Sequence, residues 1–317
     1  MCRMSWVEKA LSKRNIRIEG TEINGGDVLV KYVPLFNRET DEAIMSDNDV
    51  NRAAAGEKEK TLDSILARFD RAAVAFSGGT DSAYLLFRAL TVLGKGCVLA
   101  VTVRSELVNP AAVKEAVSLT EKLGVKHMVL DMDLLSLSAV ANNLRNRCYY
   151  CKKAMYKEMR SAAAEQGRPV ILDGSHAGDQ FAERPGMHAL AELEVHSPLR
   201  EAALDKKEIR VLSREAGLPT WKKPAEACFA SRFPYGDLLT AEKIRKVAEA
   251  EDFLRRIGLA NEMRVRCHGQ LARIEADIKE FQVILSRRGE IESCFRNLGF
   301  RYITLDLEGF ASGSMDR

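Results

Sequence analysis

The chain has 317 residues, 46% hydrophobic and 29% charged, the composition of an ordinary globular protein long enough for two domains. Its 48 basic and 45 acidic residues leave a net charge of only +3, so composition forces no large nucleic-acid footprint. No apolar run reaches a membrane span, the N-terminus lacks an apolar signal core, and seven cysteines make no even disulfide framework; a cytoplasmic protein without membrane or nucleic-acid partners is expected, its thiols free, metal-bound or catalytic.

In chain order, residues 1–60 read as an appendage: a helix over residues 6–14, a strand at DVLVKYV, then a polar linker, SDNDVNRAAAGEKEK. From residue 61 the pattern turns regular. An amphipathic helix (TLDSILARF) precedes the strand AAVAF, the helix SAYLLFRALTVLG and the strand CVLAVTV. A helix opening at Pro110 and stopping at Gly124 leads to the strand KHMVLDM, and a long helix around NRCYYCKKAMYKEMRSAAAEQG leads to PVILDGS. Strands alternating with helices of this length predict an α/β fold, a doubly wound parallel sheet, over residues 61–235. Beyond about Phe233 the texture is that of a smaller α+β domain, residues 236–317: a helix (240–258), a strand (262–276), a helix ended by Gly299 (278–299) and a last strand, YITLDL.

The apolar strand at residues 72–76 runs into SGGTDS and then into a helix. The first N–H groups of a helix lack partners and its dipole favours anions, Gly78 and Gly79 permit close backbone approach, and Ser77, Thr80 and Ser82 add hydroxyls. The bend suits phosphate, although a capped βα turn would fit a bare SGG equally well. It is neither a Walker loop, for no Lys follows the glycines, nor GxGxxG. The string is similar to the SGGxDS signature of the PP-loop ATP pyrophosphatases. That resemblance implies cleavage of ATP between the α and β phosphates, a carbonyl oxygen activated as its adenylate, pyrophosphate held by Ser77 to Ser82, and Asp81 on magnesium.

Further blocks, RCYYCKK, LDGSHAGD, ERPGMHALAELEVHSPLREA, KKEIRVLSREAGLPTWKKPAEACFASRFPYG, RVRCHGQLARIEA and GFASGSMD, follow in an order that resembles the LarE family of ATP-dependent sulfur transferases over residues 62–317. The resemblance implies a pyridinium mononucleotide with two carboxylates as substrate, converted to thiocarboxylates for the nickel-pincer nucleotide, and Cys228 as the reactive cysteine. In single-cysteine members that sulfur is donated and dehydroalanine remains. Members with an added Cys-x-x-Cys pair resemble carriers of a [4Fe–4S] cluster. Here Cys148 and Cys151 stand three apart, on one face of a helical turn, and with Cys228 give three of the four ligands a cubane needs. Two half-buried thiols or a three-cysteine zinc site satisfy the same spacing. The remaining cysteines, Cys2, Cys97, Cys267 and Cys294, read as terminal or structural.

Arg264 and Arg266 alternate along one strand and so face one way, a geometry for gripping the substrate phosphate or for a solvated charged face. By resemblance they form a phosphate-binding region with Glu275 as a candidate metal ligand. Arg232 is grouped with them on the substrate phosphate, and is expected to bind the adenylate phosphate or lower the Cys228 thiol pKa, or else to form a surface ion pair. Asp173, at the end of a predicted strand, is placed with the ATP and pyrophosphate residues. His176 and Gly178 stand where the family block carries Asn and a second Asp, which leaves the roles of Asp173 and Asp179 open. The expected protein is a homo-oligomer using ATP, Mg2+ and a [4Fe–4S] cluster on a small nucleotide. A tRNA sulfur transferase, an amide-forming synthetase and a nucleotide-binding sensor of iron–sulfur status share parts of the pattern.

Overall fold

The computed structural model describes residues 16–24, 27–34, 38–179, 185–224, 226–311 and 313–316. They divide into two compact units, residues 1–54 and 55–317. In the first, β1 (Ile16–Asn24) and β2 (Asp27–Pro34) pair antiparallel, β2 matching the strand expected at DVLVKYV. The helix expected over residues 6–14 lies outside the described residues. The polar stretch expected as a linker is instead helical, within α1 (Arg38–Leu66). Its Ala, Glu and Lys residues are strong helix formers, and Ala55, Leu62 and Leu66 supply a fully buried stripe.

Residues 55–317 contain two sheets. β3 (Ala72–Ala75), β4 (Val98–Arg104), β5 (Lys126–Asp131) and β6 (Val170–Leu172) form a parallel sheet in the order β5-β4-β3-β6. Both faces are covered. Val98 and Ala100 pack with α1, with α2 (Thr80–Leu93), and with α3 (Pro110–Leu123). Leu99, Val101 and Val103 pack on the other face with α4 (Arg147–Glu165) and α5 (Pro185–Glu192). α6 (Lys206–Glu215) joins the first layer through Ile209 and Leu212. The near-continuous apolar runs in the sequence follow from this two-sided burial. The chain advances β3, β4, β5 in one direction and then returns to the other side of β3 for β6. The crevice beyond the carboxyl ends of β3 and β6 is therefore a topological switch point, where ligands bind in open α/β sheets.

The second sheet is β7 (Met263–His268), β8 (Leu271–Ala276) and β9 (Tyr302–Leu305), antiparallel then parallel, packed against α7 (Ala241–Arg256). The single strand expected over 262–276 is thus a hairpin, reversed beside Gly269, which takes φ +62°. The single helix expected over 278–299 is broken into α8 (Phe281–Ser286) and α9 (Arg288–Asn297). Arg287 sits at the break and reaches both the Ile257 carbonyl and Glu290. The core of this region also takes in Leu107, Leu134, Val140, Phe229 and Phe233, so the two sheets share one compact unit. No helix among the described residues is long and apolar enough to cross a membrane.

The switch point depends on close packing at Gly174, just past β6. A Cβ there would lie 3.0 Å from the Ser82 nitrogen and 3.2 Å from its Cα, both backbone atoms. Gly174→Ala is expected to destabilise the fold by about 1–3 kcal/mol through overpacking, by pushing the start of α2 off the sheet. Chemical denaturation checks this; an unchanged midpoint would mean that the contact relaxes freely.

Candidate functional site

β3 ends one residue before Phe76, whose carbonyl accepts from the Thr102 hydroxyl at 2.6 Å. Gly78 then turns at φ +71°, so close to α3 that a Cβ would meet the Ala112 carbonyl at 3.3 Å. Gly79 caps α2 without any side-chain hydrogen bond, which leaves the first helical N–H groups turned to the crevice. The Ser77 and Ser82 hydroxyls lie 3.1 Å apart and brace the loop, and Ser77 Oγ accepts from the Gly79 N–H. The Thr80 hydroxyl is turned away, donating to the buried Thr220 carbonyl at 2.7 Å.

Asp81 Oδ2 accepts from Lys206 at 2.5 Å, while Asp81 Oδ1 is buried with no hydrogen-bond partner among the described residues. An orphaned carboxylate oxygen beside a phosphate-type loop fits a hard cation such as Mg2+. Asp81, Ser77, Asp173, Asp179 and Lys206 line a cavity of 550 Å³. Asp173 is buried, and both its oxygens accept from serine hydroxyls, Ser175 and Ser197, at 2.5 Å each. Asp179 closes its own turn, accepting from the His176 N–H at 3.0 Å.

A second cavity of 300 Å³ joins this loop to Cys228: Ser77, Gly79 and Asp81 lie on one side, Cys228 on another, and Lys206, Lys223 and Arg264 between them. The exposed Cys228 precedes a 3-10 turn, Phe229–Arg232, whose Phe229 N–H donates to the Leu107 carbonyl. Arg232 is only 3% exposed. Its Nε and Nη2 grip both oxygens of the fully buried Glu251 on α7, at 2.9 and 3.1 Å. Its Nη1 donates to the Ala227 carbonyl at 2.8 Å and to the Cys228 carbonyl at 3.3 Å. A surface ion pair was one expectation; the pair that forms is enclosed, and it fixes the backbone that carries the thiol.

Asn143 brings the Cys-x-x-Cys helix to this segment. Fully buried and at φ +47°, it donates to the carbonyls of Phe233 and Pro234 at 3.1 and 2.8 Å and accepts from the Gly236 N–H. Cys148 and Cys151 follow in the first turns of α4. Burial pushes the Cys151 thiol up to about 12, and the neighbouring Cys228 and Cys148 push it the same way, so the three sulfurs share one electrostatic neighbourhood. They are not drawn in to metal-binding distance: no cluster of three Cys, His, Asp or Glu side chains poised for a metal occurs among the described residues. The donor set itself, three thiols beside the buried Arg147 whose Nε and Nη1 lack acceptors, fits a soft, anionic iron–sulfur group. Cys267 is buried and its thiol raised by that burial, in keeping with a structural role.

Arg264 and Arg266 share one face of β7, across from Glu275 and Arg273 on β8. They diverge in use. Arg266, buried, donates through Nε and Nη2 to Glu275 and through Nη1 to the Ser231 carbonyl. Glu275 is further bound by Arg273 and Ser314, so both its oxygens are engaged within the protein. Arg264 instead lines the Cys228 cavity and a larger one of 750 Å³ that also contains Lys222, Lys223 and Arg255. Burial, with Arg232 alongside, lowers its pKa to about 10. Sequence reasoning missed Lys206, Lys223, Arg255 and Asn143. Only Lys206 carried a local signal, the capping box formed by Asp205 and Glu208 that sets it at the start of α6.

Breaking the Arg232–Glu251 pair leaves a buried charge alone. Arg232→Met is expected to cost about 3–5 kcal/mol in stability, and Arg232→Met with Glu251→Met to recover most of it. Equal stabilities for all three proteins in denaturant titrations would remove the pair as the anchor of Cys228.

No family model matches the chain. Curated relatives do. It is 41% identical over 267 residues, 83% of this chain and 95% of the relative, to the pyridinium-3,5-bisthiocarboxylic acid mononucleotide synthase of Lactiplantibacillus plantarum. It is 37% identical over 262 residues, 82% of this chain and 97% of the relative, to an uncharacterized protein of Synechocystis. An uncharacterized protein of Methanocaldococcus jannaschii matches at 26% over 239 residues, 75% of this chain and 90% of the relative. With more than a third of its residues shared with a named synthase over nearly that enzyme's whole length, the chain belongs to the LarE family of sulfur-transferring enzymes.

Proposed function

We propose that the protein carries out ATP-dependent sulfur insertion, adenylating a carboxylate of a pyridinium-3,5-biscarboxylate mononucleotide and converting it to a thiocarboxylate, a step in making the nickel-pincer nucleotide. The observation that carries this reading is the shared cavity: the Ser77 to Ser82 loop and the Cys228 thiol open onto the same 300 Å³. An acyl adenylate formed at the loop would therefore lie within reach of the sulfur, so the two half-reactions need no transfer between distant sites.

The free N–H groups at the start of α2 hold the pyrophosphate, and Lys206 neutralises the charge that gathers on it as the α–β bond breaks. Asp81 would hold Mg2+ through the oxygen that lacks a partner, and the ion would offset phosphate charge. Asp173, held by two serines, keeps the end of β6 in place behind the loop. Arg264, with Lys223 and Arg255, takes the substrate phosphate. Arg266 and Glu275 hold β7 and β8 in the register that presents Arg264.

Attack by the Cys228 thiolate on the acyl carbon expels AMP and forms a thioester. Loss of the Cα proton and cleavage of the Cβ–S bond then release the thiocarboxylate and leave dehydroalanine. Cys148, Cys151 and Cys228 would hold a [4Fe–4S] cluster that, when bound, supplies an open iron for exogenous sulfide and spares Cys228. We favour this second source because repeated turnover needs sulfur from outside the chain, and Asn143 draws the helix that bears Cys148 and Cys151 to the segment that follows Cys228. Residues 61–235 then handle ATP and residues 236–317 the substrate phosphate.

ATP is expected to yield AMP and pyrophosphate, and Asp81→Asn to slow pyrophosphate release with the fold unchanged by circular dichroism; ADP and orthophosphate as main products would refute the adenylation. Anaerobic, cluster-loaded protein given sulfide should turn over repeatedly with its mass intact. A loss of roughly 34 Da, the elements of hydrogen sulfide, in proportion to product would instead make Cys228 the donor.

A further inference from the structure

Arg147 is the first residue of α4, one before Cys148 and four before Cys151, so its side chain rises on the same helical face as the Cys151 thiol. It is 8% exposed. Yet its Nε and Nη1 are enclosed and meet no acceptor among the described residues. The guanidinium lies over the Tyr235 ring, 4.6 Å from its centroid, with Arg145 near the same ring at 4.9 Å. Stacking on the ring stabilises the cation and sets its plane, but gives the in-plane N–H groups nothing to donate to. Tyr235 belongs to the segment that Asn143 clamps, so the stacked pair joins the chain that follows Cys228 to the start of the helix that bears Cys148 and Cys151. Lys152 and Arg147 both place positive charge near Cys151.

Buried guanidinium donors without acceptors carry their full desolvation penalty, and folded proteins retain such groups where a ligand completes them. The ligand must be anionic, small and drawn to thiols. We propose that Arg147 is the anion-holding residue of the three-cysteine site, its Nε and Nη1 donating to a sulfide-class anion there, either a sulfide of an iron–sulfur cluster or free hydrosulfide. The inference rests on the reading that Cys148, Cys151 and Cys228 form the sulfur site. It adds what three thiolates lack, a fixed positive charge and two directed donors for the anion they repel.

The test compares wild type, Arg147→Met and Arg147→Lys, each reconstituted anaerobically with iron and sulfide. Iron and sulfide content are measured first, then the cluster's reduction potential, then the affinity for hydrosulfide by spectral titration with sodium sulfide. Removing the charge is expected to shift the potential to more negative values in Arg147→Met, since the reduced cluster carries the greater negative charge. Hydrosulfide affinity is expected to fall about tenfold. Arg147→Lys keeps the charge and the apolar stem, so its potential should stay near that of wild type while the loss of the planar fork still weakens hydrosulfide binding. A shifted potential alone assigns the donors to cluster sulfide, and weakened titration alone assigns them to free hydrosulfide. If Arg147→Met does not fold, Arg147→Gln, which also removes the charge, takes its place, and a wild-type potential together with wild-type hydrosulfide affinity in that variant overturns the proposal. Equal potentials and affinities in wild type and Arg147→Met overturn it as well. Wild-type protein that takes up no iron defeats the cluster reading separately, and calorimetric titration of cluster-free protein with sodium sulfide then decides Arg147: equal affinities in wild type and variant end the proposal.

Discussion

Glu251 is a carboxylate with no exposure to solvent, and the arrangement around it follows from the need to neutralise that charge. Arg232 meets it with two parallel hydrogen bonds, and the Val265 N–H donates to it as well, at 3.0 Å. One side chain of α7 thereby holds the start of β7 and the segment that bears Cys228. Arg232 in turn grips the carbonyls of Ala227 and Cys228, so the position of the thiol is set by a buried ion pair on the C-terminal side of the fold. Arg264 emerges beside the same pair, its charge disfavoured by burial and by Arg232.

The site is thus assembled at a seam. On one side lies the crevice at the carboxyl ends of β3 and β6, with the loop and Asp81; on the other lie α7 and β7 with their arginines. Cys228 and its 3-10 turn close the seam, and the shared core of Leu107, Phe229 and Phe233 holds it shut. Cations concentrate here: Lys206, Lys223, Arg232, Arg255 and Arg264 line one small cavity. Acids stand among them, Asp81 on Lys206, Glu115 on Lys223 and Glu251 on Arg232, so this concentration does not show in the chain's net charge of +3.

Side-chain direction separated residues that looked equivalent in sequence. Arg264 and Arg266 share a strand face, yet one lines the cavities and the other locks to Glu275, because Glu275 on β8 lies diagonally within reach of Arg266. Thr80 belongs to the same short string as Ser77 and Ser82, but its hydroxyl is taken by a carbonyl 140 residues away in the chain. Neither outcome follows from spacing alone.

The parallel sheet and the helices flanking it were legible from the sequence, because two-sided burial and local helix signals write themselves into short windows as apolar runs, caps and glycines. The glycine bend between β3 and α2 was legible for the same reason: its glycines, its hydroxyls and its helix start are neighbours in the chain. Reading failed where local pattern was weak or misleading. A polar run of good helix formers reads as a linker, a hairpin with one glycine at its turn as a single strand, and a helix broken at Arg287 as a continuous one. Asn143, Lys223 and the Arg232–Glu251 pair were decided by tertiary structure alone. Each acts through a partner distant in sequence, and hydrogen bonds and ion pairs depend on distances of a few ångströms that only the folded chain establishes.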